Sequence, residues 1–334
     1  MTVVTAYTAV TPERFATEIR PLGRPAILKG AVAEWPAVVR GRQSDDALID
    51  YIASHDTGQV AGVYVGAPEI AGHFFYGADT RSDNFRYGPA PIPQALDRLR
   101  QERNNDRPHA VYVQSAEIGK HMPGFGAENR LDLLPDVAPR IWIGNQAVTR
   151  AHYDLNYNIA CVVAGRRRFL LFPPDQVTNL YPGPFDRTIG GVPVSMVDAS
   201  NPDLDRYPLF AEAQKTMVTA DLEPGDAIYI PYGWWHQVHS LSAFNVLVNY
   251  WWDDAAGAAS PYDALFHAIL AIRDLPPDHH DLWRALFDYY VFDPAALSHL
   301  SETDRGTLGP MTPALARRIK QSLARSLDVN KVDP

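Results

Sequence analysis

The sequence predicts a mainly β protein with flanking helices, in which a barrel-like double sheet is followed by a helical segment. From Arg140 to Trp252 the chain is rich in β-branched and aromatic residues, and Gly and Pro interrupt these runs at short intervals. After about residue 255 the apolar residues adopt helical spacing. Hydrophobic residues make up 46% of the 334 positions, which is enough for one large core or two ordinary ones.

The N-terminal third is predicted to mix helices and strands. Thr11-Pro12 is a typical helix start, and the helix is expected to run to about Arg20. The remaining elements are a buried strand at 25–30, a helix at 45–55, short strands and turns at 59–92, an amphipathic helix at 91–103 and a strand at 110–114.

The central third is predicted to form the barrel, with strands at 140–144, 156–164, 167–172, 226–230 and 244–252. Gly165 is expected to turn a hairpin, and the turn at 222–226 leads into the next strand. Helices are predicted at 261–273, 279–291 and 313–327, and the polar last seven residues are expected to fray. We therefore expect an α/β part at 1–105 that packs on and extends the barrel, a barrel core at 106–255 and a helical segment at 256–330.

Composition excludes several classes of protein. The net charge of −9 argues against nonspecific nucleic-acid binding, although a basic peptide or a small molecule remains a suitable substrate. The single cysteine, Cys161, is expected to be an inert packing residue, and its isolation indicates a reducing, cytoplasmic compartment. We expect no signal peptide, and no apolar run approaches the roughly 20 residues that a membrane span needs.

The strongest chemical signal is His152-Tyr153-Asp154, followed far downstream by Tyr232-Gly-Trp-Trp-His236. Residues i and i+2 of a strand share one face, so His152 and Asp154 can reach one ion. Two histidines and one carboxylate form the ligand set that leaves three positions of Fe(II) open. A His-x-Asp pair alone is a weak signal, but the predicted strand and the Pro-Gly-Asp turn before the distant histidine strengthen it. His239 is a less favoured alternative ligand, and three other histidines are expected at the surface: His121, His279 and His280.

These motifs resemble the JmjC (cupin-like) Fe(II)- and 2-oxoglutarate-dependent dioxygenases, and in particular the subfamily of the asparaginyl hydroxylase of hypoxia-inducible factor. The resemblance covers about residues 20 to 255 and the C-terminal helices more loosely. It implies a double-stranded β-helix (jelly-roll or cupin) core, Fe(II), 2-oxoglutarate and O2, and a homodimer built by the C-terminal helices. The matching segments are Thr149–Asp154, Leu170–Gln176, Leu180–Pro182, Val197-Asp198, Asn201–Asp203, Pro224–Asp226, Tyr229–Pro231, Trp234–His236 and Val248–Trp251.

Strand alternation and the resemblance together predict a co-substrate pocket. If 152–158 is one strand, Asn158 shares the face of the two ligands, and Arg167 shares a face with Phe169 and Leu171. The resemblance implies that Arg167 holds the distal carboxylate of 2-oxoglutarate, although related chains have Lys there and the run Arg166-Arg167-Arg168 leaves the register open. It also implies hydroxyls from Thr149 and Tyr112, and a metal-proximal wall from Asn158, Asn249 and Trp251. Trp251 and Tyr112 are equally compatible with simple core packing.

The predicted function is hydroxylation of a C–H bond in a protein or peptide side chain, with release of succinate and CO2. Hydroxylation of a small molecule and lysine demethylation use the same chemistry and stay open. A cupin-like module that binds metal without turnover is the non-enzymatic alternative. Gly190-Gly-Val-Pro-Val194 replaces a polar pair that contacts peptide in the asparaginyl hydroxylase, so its peptide specificity does not carry over.

Overall fold

The computed structural model describes residues 2–255, 259–293 and 297–327, which form two compact units, Met1–Asp253 and Asp254–Pro334. The predicted boundaries at 105 and 255 remain predictions of the sequence. The seven C-terminal residues that were expected to fray lie outside the described residues.

The first unit contains fifteen strands in two sheets among the described residues. The strands are β1 (Thr2–Val3), β2 (Ala6–Thr8), β3 (Ala26–Lys29), β4 (Val60–Gly66), β5 (His73–Phe74), β6 (Phe85–Pro91), β7 (Ala110–Glu117), β8 (Pro139–Gly144), β9 (Ala147–Tyr153), β10 (Tyr157–Ala164), β11 (Arg167–Phe172), β12 (Val218–Leu222), β13 (Ala227–Ile230), β14 (Trp235–Ser240) and β15 (Asn245–Trp252). One sheet has the order β1-β12-β11-β14-β9-β5, and the other has the order β2-β3-β13-β10-β15-β8-β7-β4-β6. This pair of sheets confirms the predicted jelly-roll class.

Helices flank the sheets and make up the second unit. The α-helices are α1 (Pro12–Arg14), α2 (Pro36–Gln43), α3 (Asp45–Ser54), α4 (Ile92–Glu102), α5 (Ile118–His121), α6 (Pro123–Glu128), α7 (Phe210–Thr216), α8 (Pro261–Ile272), α9 (Pro277–Phe287) and α10 (Pro313–Ser326). Short 3₁₀ or π turns occupy Phe15–Ile19, Arg20–Leu22, Pro68–Ile70, Pro174–Leu180, Asp288–Phe292 and Gly306–Leu308. Thr11 and Thr312 cap α1 and α10 through their hydroxyls, as the Thr-Pro pairs predict.

The two faces of the nine-stranded sheet bury different cores. Its inner face meets the six-stranded sheet through a cluster that includes Val162 and Ile228 from one sheet and Phe169 and Leu171 from the other. Its outer face packs against the N-terminal helices in a larger cluster. Cys161 lies in that larger cluster, fully buried, and burial raises the pKa of its thiol. It is therefore a packing residue that stays protonated, as the sequence predicts.

The prediction of a hairpin at Gly165 is wrong. β10 pairs with β13 and β15, whereas β11 pairs with β12 and β14. Gly165 therefore carries the chain from one sheet to the other, and the two strands beside it do not pair. Each of the two strands pairs with strands that are distant in sequence. The residues of the local turn do not indicate which strands these are.

Two further expectations need correction. His152, Asp154 and Asn158 do not share one strand, because β9 ends at Tyr153 and β10 begins at Tyr157 in the other sheet. His121 is buried, contrary to the expected surface position, and its Nδ1 lies 3.3 Å from the backbone oxygen of Gln59.

In the described part of the chain, none of the helices has the length and apolarity that spanning a bilayer requires.

Gly165 yields a test of the inter-sheet connection. Its φ is +72°, and a Cβ there would lie 2.2 Å from Asn245 Oδ1 and 2.6 Å from the Phe244 carbonyl oxygen. We expect Gly165→Ala to lower the free energy of unfolding by about 2 to 4 kcal/mol, because backbone strain and overpacking add. Gly88→Ala, on β6, is the control, since its Cβ would meet no atom within 4 Å and it should change stability by less than about 1 kcal/mol. Equal urea-unfolding midpoints for the two variants would contradict this role.

Candidate metal centre

Strand register brings the two candidate histidine ligands together. β14 pairs with β9 so that His236 lies directly opposite His152, and the ring centroids are 4.3 Å apart. Directly opposed residues of an antiparallel pair have their Cβ atoms close on the same face. Asp154 follows the end of β9, and its Oδ2 lies 3.6 Å from His236 Nε2. One ligand atom from each of the three residues lies within 4.8 Å of the others, so the cluster can hold a single ion.

Backbone carbonyls orient both imidazole rings. His152 Nδ1 lies 2.9 Å from the Arg150 carbonyl oxygen, and His236 Nδ1 lies 3.0 Å from the Trp234 carbonyl oxygen. A carbonyl only accepts, so each Nδ1 carries the proton and each Nε2 presents its lone pair. Burial and the neighbouring His152 lower the pKa of His236 to about 4, so its ring is neutral near pH 7, as a metal ligand must be.

A chain of amides and indoles fixes Asp154. Trp251 Nε1 donates to Asp154 Oδ2 at 3.0 Å, and Asn158 Nδ2 lies 3.5 Å from the same oxygen. Asn249 Nδ2 in turn donates to Asn158 Oδ1 at 3.4 Å, and Trp142 Nε1 donates to Asn249 Oδ1 at 2.8 Å. Groups that hold a ligand carboxylate in place tune both its orientation and its affinity for metal. The three pocket-wall residues predicted from the sequence therefore contact the carboxylate or its support directly.

Two adjoining cavities open on this cluster. We name them the inner cavity, of about 60 Å³, and the outer cavity, of about 80 Å³. His152 and Asp154 line both, together with Tyr112, Thr149 and two tryptophans, Trp142 and Trp251. The inner cavity adds His236, Arg167, Asn158 and Asn249, whereas the outer cavity adds Arg150, Gln114, Tyr64 and the segment around Ile189–Val194.

The inner cavity ends at a buried cation without a counter-charge. Arg167 is 2% exposed, whereas Arg166 and Arg168 are exposed, and Arg168 pairs with Asp221. Among the described residues no carboxylate lies within ion-pair distance of Arg167, and its Nε and Nη2 have no hydrogen-bond partner. Burial raises the pKa of Tyr112, whose hydroxyl contacts Arg167 and Thr149, so this hydroxyl stays a neutral donor. A buried guanidinium is costly unless an anion joins it, so this end of the cavity fits a carboxylate.

A bulge explains why Thr149 faces the cavity. Thr149 is odd-numbered and the ligands on this segment are even-numbered, so strict alternation would turn it away. The pairing of β9 with β14 shifts between His236 and Val238, which places Thr149 opposite Val238. Both residues line the inner cavity. A β-bulge inserts one residue and resets the alternation, and sequence parity alone does not reveal it.

Sequence reasoning missed several cavity residues, among them Trp142, Arg150, Gln114 and Tyr64. The position of Trp142 could have been predicted. Ile141 and Ile143 flank it on a predicted strand and are buried on one face, so alternation places Trp142 on the opposite face. Arg150, Gln114 and Tyr64 carried no signal, since their positions depend on strand pairing across the sheet. His239, the alternative ligand, lies outside the metal cluster, and its Nε2 is 2.9 Å from Gln237 Nε2.

Metal titration tests the three ligands. We expect wild-type protein to bind one Fe(II) under anaerobic conditions, and His152→Ala or Asp154→Ala to weaken binding by at least about 100-fold, because loss of a supporting contact alone costs 10- to 100-fold. His239→Ala is the matched control and should bind within about twofold of wild type. Loss of metal from His239→Ala and retention by Asp154→Ala would contradict the assignment.

Comparison with known proteins agrees with this architecture. The model of the cupin-like domain family matches residues 12–258. The chain is 25% identical over 320 residues to tRNA wybutosine-synthesizing protein 5 of Gallus gallus, covering 84% of this chain and 91% of that protein. It is 26% identical to Jumonji C domain-containing protein 5 of Drosophila melanogaster, over 72% of this chain and 57% of that protein. Lysine-specific demethylase JMJ31 of Arabidopsis thaliana is 38% identical over 33% of this chain and 20% of its own length.

The family match spans the strands that carry the His-Asp-His cluster and both cavities, so family and site coincide in one region of the chain. The narrower resemblance to the asparaginyl hydroxylase remains a prediction of the sequence. The chain belongs to the cupin-like domain family, and proteins named for the Jumonji C domain are among its relatives.

Proposed function

We propose that the protein is an Fe(II)- and 2-oxoglutarate-dependent oxygenase that hydroxylates a C–H bond. The observation that carries the proposal is the pairing of two features in one cavity: a His-Asp-His cluster and a buried arginine without a counter-ion among the described residues. A metal site alone would fit many cupin-like proteins. The arginine adds a requirement for an anion that enters beside the metal.

The metal ligands would be His152, Asp154 and His236. Two neutral imidazoles and one carboxylate leave a divalent ion with net positive charge and with open positions for an anionic chelator and O2. The carbonyl-held rings and the indole- and amide-held carboxylate keep the three donors oriented before metal arrives.

The residues fit 2-oxoglutarate at the inner cavity. The distal carboxylate would pair with Arg167, with Tyr112 and Thr149 as hydroxyl donors beside it. Arginine replaces the lysine of related chains without loss of function, because its planar group binds a carboxylate through two N–H donors. Asn158 and Asn249 would lie at the metal-proximal end, where they also support Asp154.

With both groups bound, the iron centre would supply the oxidant that converts a substrate C–H to C–OH, and 2-oxoglutarate and O2 would yield succinate and CO2. The protein would contribute by positioning the reactants and by excluding water from the metal. Trp142, Phe169, Val238 and Leu247 form an apolar wall around the inner cavity and keep bulk water from the metal. Because His152 and Asp154 line both cavities, a metal held by these residues would be reachable from each of them.

For the substrate, we propose a protein or peptide side chain, with a small molecule as the alternative. The relatives' names refer to tRNA in one case and to lysine demethylation in another, and the chain covers only part of the demethylase. The net charge of −9 disfavours a polyanionic substrate such as RNA. Demethylation would need the same iron chemistry on an N-methyl carbon.

Succinate formation tests the proposal directly. Fe(II)-loaded protein with 2-oxoglutarate should form succinate only in the presence of O2, slowly alone and faster when a substrate from a peptide and small-molecule panel binds. Asp154→Ala should abolish this activity, whereas a module that only binds metal has no activity to lose. Absence of succinate with every candidate, together with absence of bound metal, would overturn the proposal.

The arginine run offers matched variants for the co-substrate. Arg167→Gln should raise the Kd for 2-oxoglutarate by about 10- to 150-fold, because a charge-assisted hydrogen bond contributes about 1.5–3 kcal/mol. Arg167→Lys should lie between wild type and Arg167→Gln. Arg168→Gln removes only the exposed pair with Asp221 and should change the Kd by less than about twofold. If a calorimetric titration showed a larger effect for Arg168→Gln than for Arg167→Gln, the assignment of the co-substrate to Arg167 would be wrong.

We also propose that the helical unit forms a homodimer. Its described helices expose large apolar side chains, among them Leu265, Phe266, Leu270, Trp283 and Phe292. A large exposed apolar patch is rare on monomers, and three of these side chains, Leu265, Trp283 and Phe292, line one groove. An apolar groove lined by α8 and α9 adds concave surface within the same unit.

Light scattering at micromolar concentration tests this assembly. Wild type should have twice the chain mass of 37.1 kDa. Leu270→Glu should shift the mass towards one chain, because a charge in an apolar interface is costly and this side chain is 75% exposed within its own chain. Leu204→Glu, an exposed leucine of the first unit, is the control and should stay dimeric. A monomeric wild type would refute the dimer.

A further inference from the structure

The outer cavity has its own cation, distinct from the one assigned to 2-oxoglutarate. Arg150 lines the outer cavity and not the inner one, whereas Arg167 lines the inner cavity and not the outer one. His152 and Asp154 line both cavities, so each cation lines a cavity that also reaches the metal cluster. Apart from these metal-ligand candidates, Arg150 is the one charged residue among the described residues that line the outer cavity.

The guanidinium of Arg150 is held in place but retains unused donors. Its side chain is 15% exposed, it lies over the Phe75 ring at 4.5 Å, and its Nη1 is 3.5 Å from Asp198 Oδ2. Its Nε is buried without a hydrogen-bond partner among the residues that the structure describes. The stacked ring and the distant carboxylate orient the group, while donors remain for a further acceptor.

Asp198 gives Arg150 one ion pair through Oδ2, and its other oxygen is engaged by different donors. Oδ1 accepts from the Ser200 backbone N–H at 3.0 Å, the Ser200 hydroxyl at 2.5 Å and Gln237 Nε2 at 3.0 Å. Burial alone would raise the pKa of Asp198, but these hydrogen bonds and the charge of Arg150 lower it to about 2. Asp198 therefore stays ionised, positions Arg150 from one side and also faces His73, whose Nδ1 is 3.5 Å from Oδ2.

Apart from Arg150, His152, Asp154, Thr149 and Gln114, the remaining lining of the outer cavity is aliphatic and aromatic, and the Gln114 amide lies beside Tyr64. Such walls bind a hydrocarbon portion, and one fixed cation selects the polar group at its end. The same cation opposes a methylated lysine, because the ammonium would meet a like charge in an aromatic pocket that otherwise suits it.

We propose that Arg150 recognises a carboxylate of the substrate, so that the enzyme acts on an acid-bearing side chain or small acid rather than on a methylated lysine. The inference rests on the proposed oxygenase function and narrows its substrate class. Arg150 would bind the carboxylate while the adjoining C–H lies over the metal cluster. Arg167 continues to hold the co-substrate.

Binding to the redox-inert Zn(II) form tests this without turnover. The protein is first saturated with Zn(II) and 2-oxoglutarate, and then titrated with acetyl-Ala-Ala-Xaa-Ala-Ala-amide peptides in which Xaa is Asp, Glu, Asn, Gln or trimethyllysine. Phenylacetate and phenylacetamide form the small-molecule arm. We expect an acid to bind at least about tenfold more tightly than its amide in one arm, which identifies peptide or small acid as the source.

Matched variants isolate the role of Arg150. Arg150→Gln should remove the preference for acid over amide, and Arg150→Lys should restore part of it. Gln114→Glu keeps the side-chain shape, adds a negative charge to the outer cavity and should weaken acid binding by several-fold, which tests the charge without disturbing Asp198. The Kd for 2-oxoglutarate should stay within about twofold in Arg150→Gln, because Arg167 sets it.

Four outcomes would overturn the inference: no binding in either arm, tighter binding of amide or trimethyllysine probes, an unchanged acid preference in Arg150→Gln, or loss of 2-oxoglutarate binding in that variant. The initial saturation with Zn(II) and 2-oxoglutarate distinguishes failure of the Arg150 inference from failure of the proposed oxygenase function. Wild-type protein that binds neither Zn(II) nor 2-oxoglutarate would overturn the oxygenase assignment and this inference with it. Wild-type protein that binds both and rejects acids would overturn only the role of Arg150.

Discussion

The register between β9 and β14 is the constraint on which the candidate site depends. It sets His236 opposite His152, and the bulge next to that pair turns Thr149 into the same cavity. A slip of one residue between the two strands would put the two imidazoles on opposite faces of the sheet. The backbone carbonyls that orient the two rings belong to the same strand segments, so register and tautomer are set together.

The second sheet supplies the environment of that cluster. β8, β10 and β15 direct Trp142, Asn158, Asn249 and Trp251 towards Asp154, which lies just beyond the end of β9. The carboxylate is therefore held by one sheet and the imidazoles by the other. Packing of the two inner faces thus keeps the three donors within reach of one ion.

Two arginines divide the space around the cluster. Arg167 lies deep in the inner cavity and is unpaired, whereas Arg150 lies in the outer cavity and is partly balanced by Asp198. Burial of a cation without a counter-ion is costly, so Arg167 favours an anion beside the metal cluster, whereas Arg150 already has one partner in Asp198. In the proposed oxygenase, this arrangement would give the co-substrate and the substrate separate recognition groups in two adjoining cavities.

The sequence by itself determined a mainly β class with a barrel-like double sheet, most strand and helix positions and the candidate ligand types, because these depend on local alternation, caps and residue chemistry. The jelly-roll core was implied by the resemblance to the JmjC proteins. The sequence also indicated Arg167, since alternation placed that residue with Phe169 and Leu171, both of which lie in the inner core. Only the tertiary structure decided that Gly165 connects two sheets, that Asn158 reaches Asp154 from the other sheet, and that Arg150 faces a cavity. The physical reason is that strand partners and bulges are chosen by packing between segments distant in sequence, which no local pattern encodes.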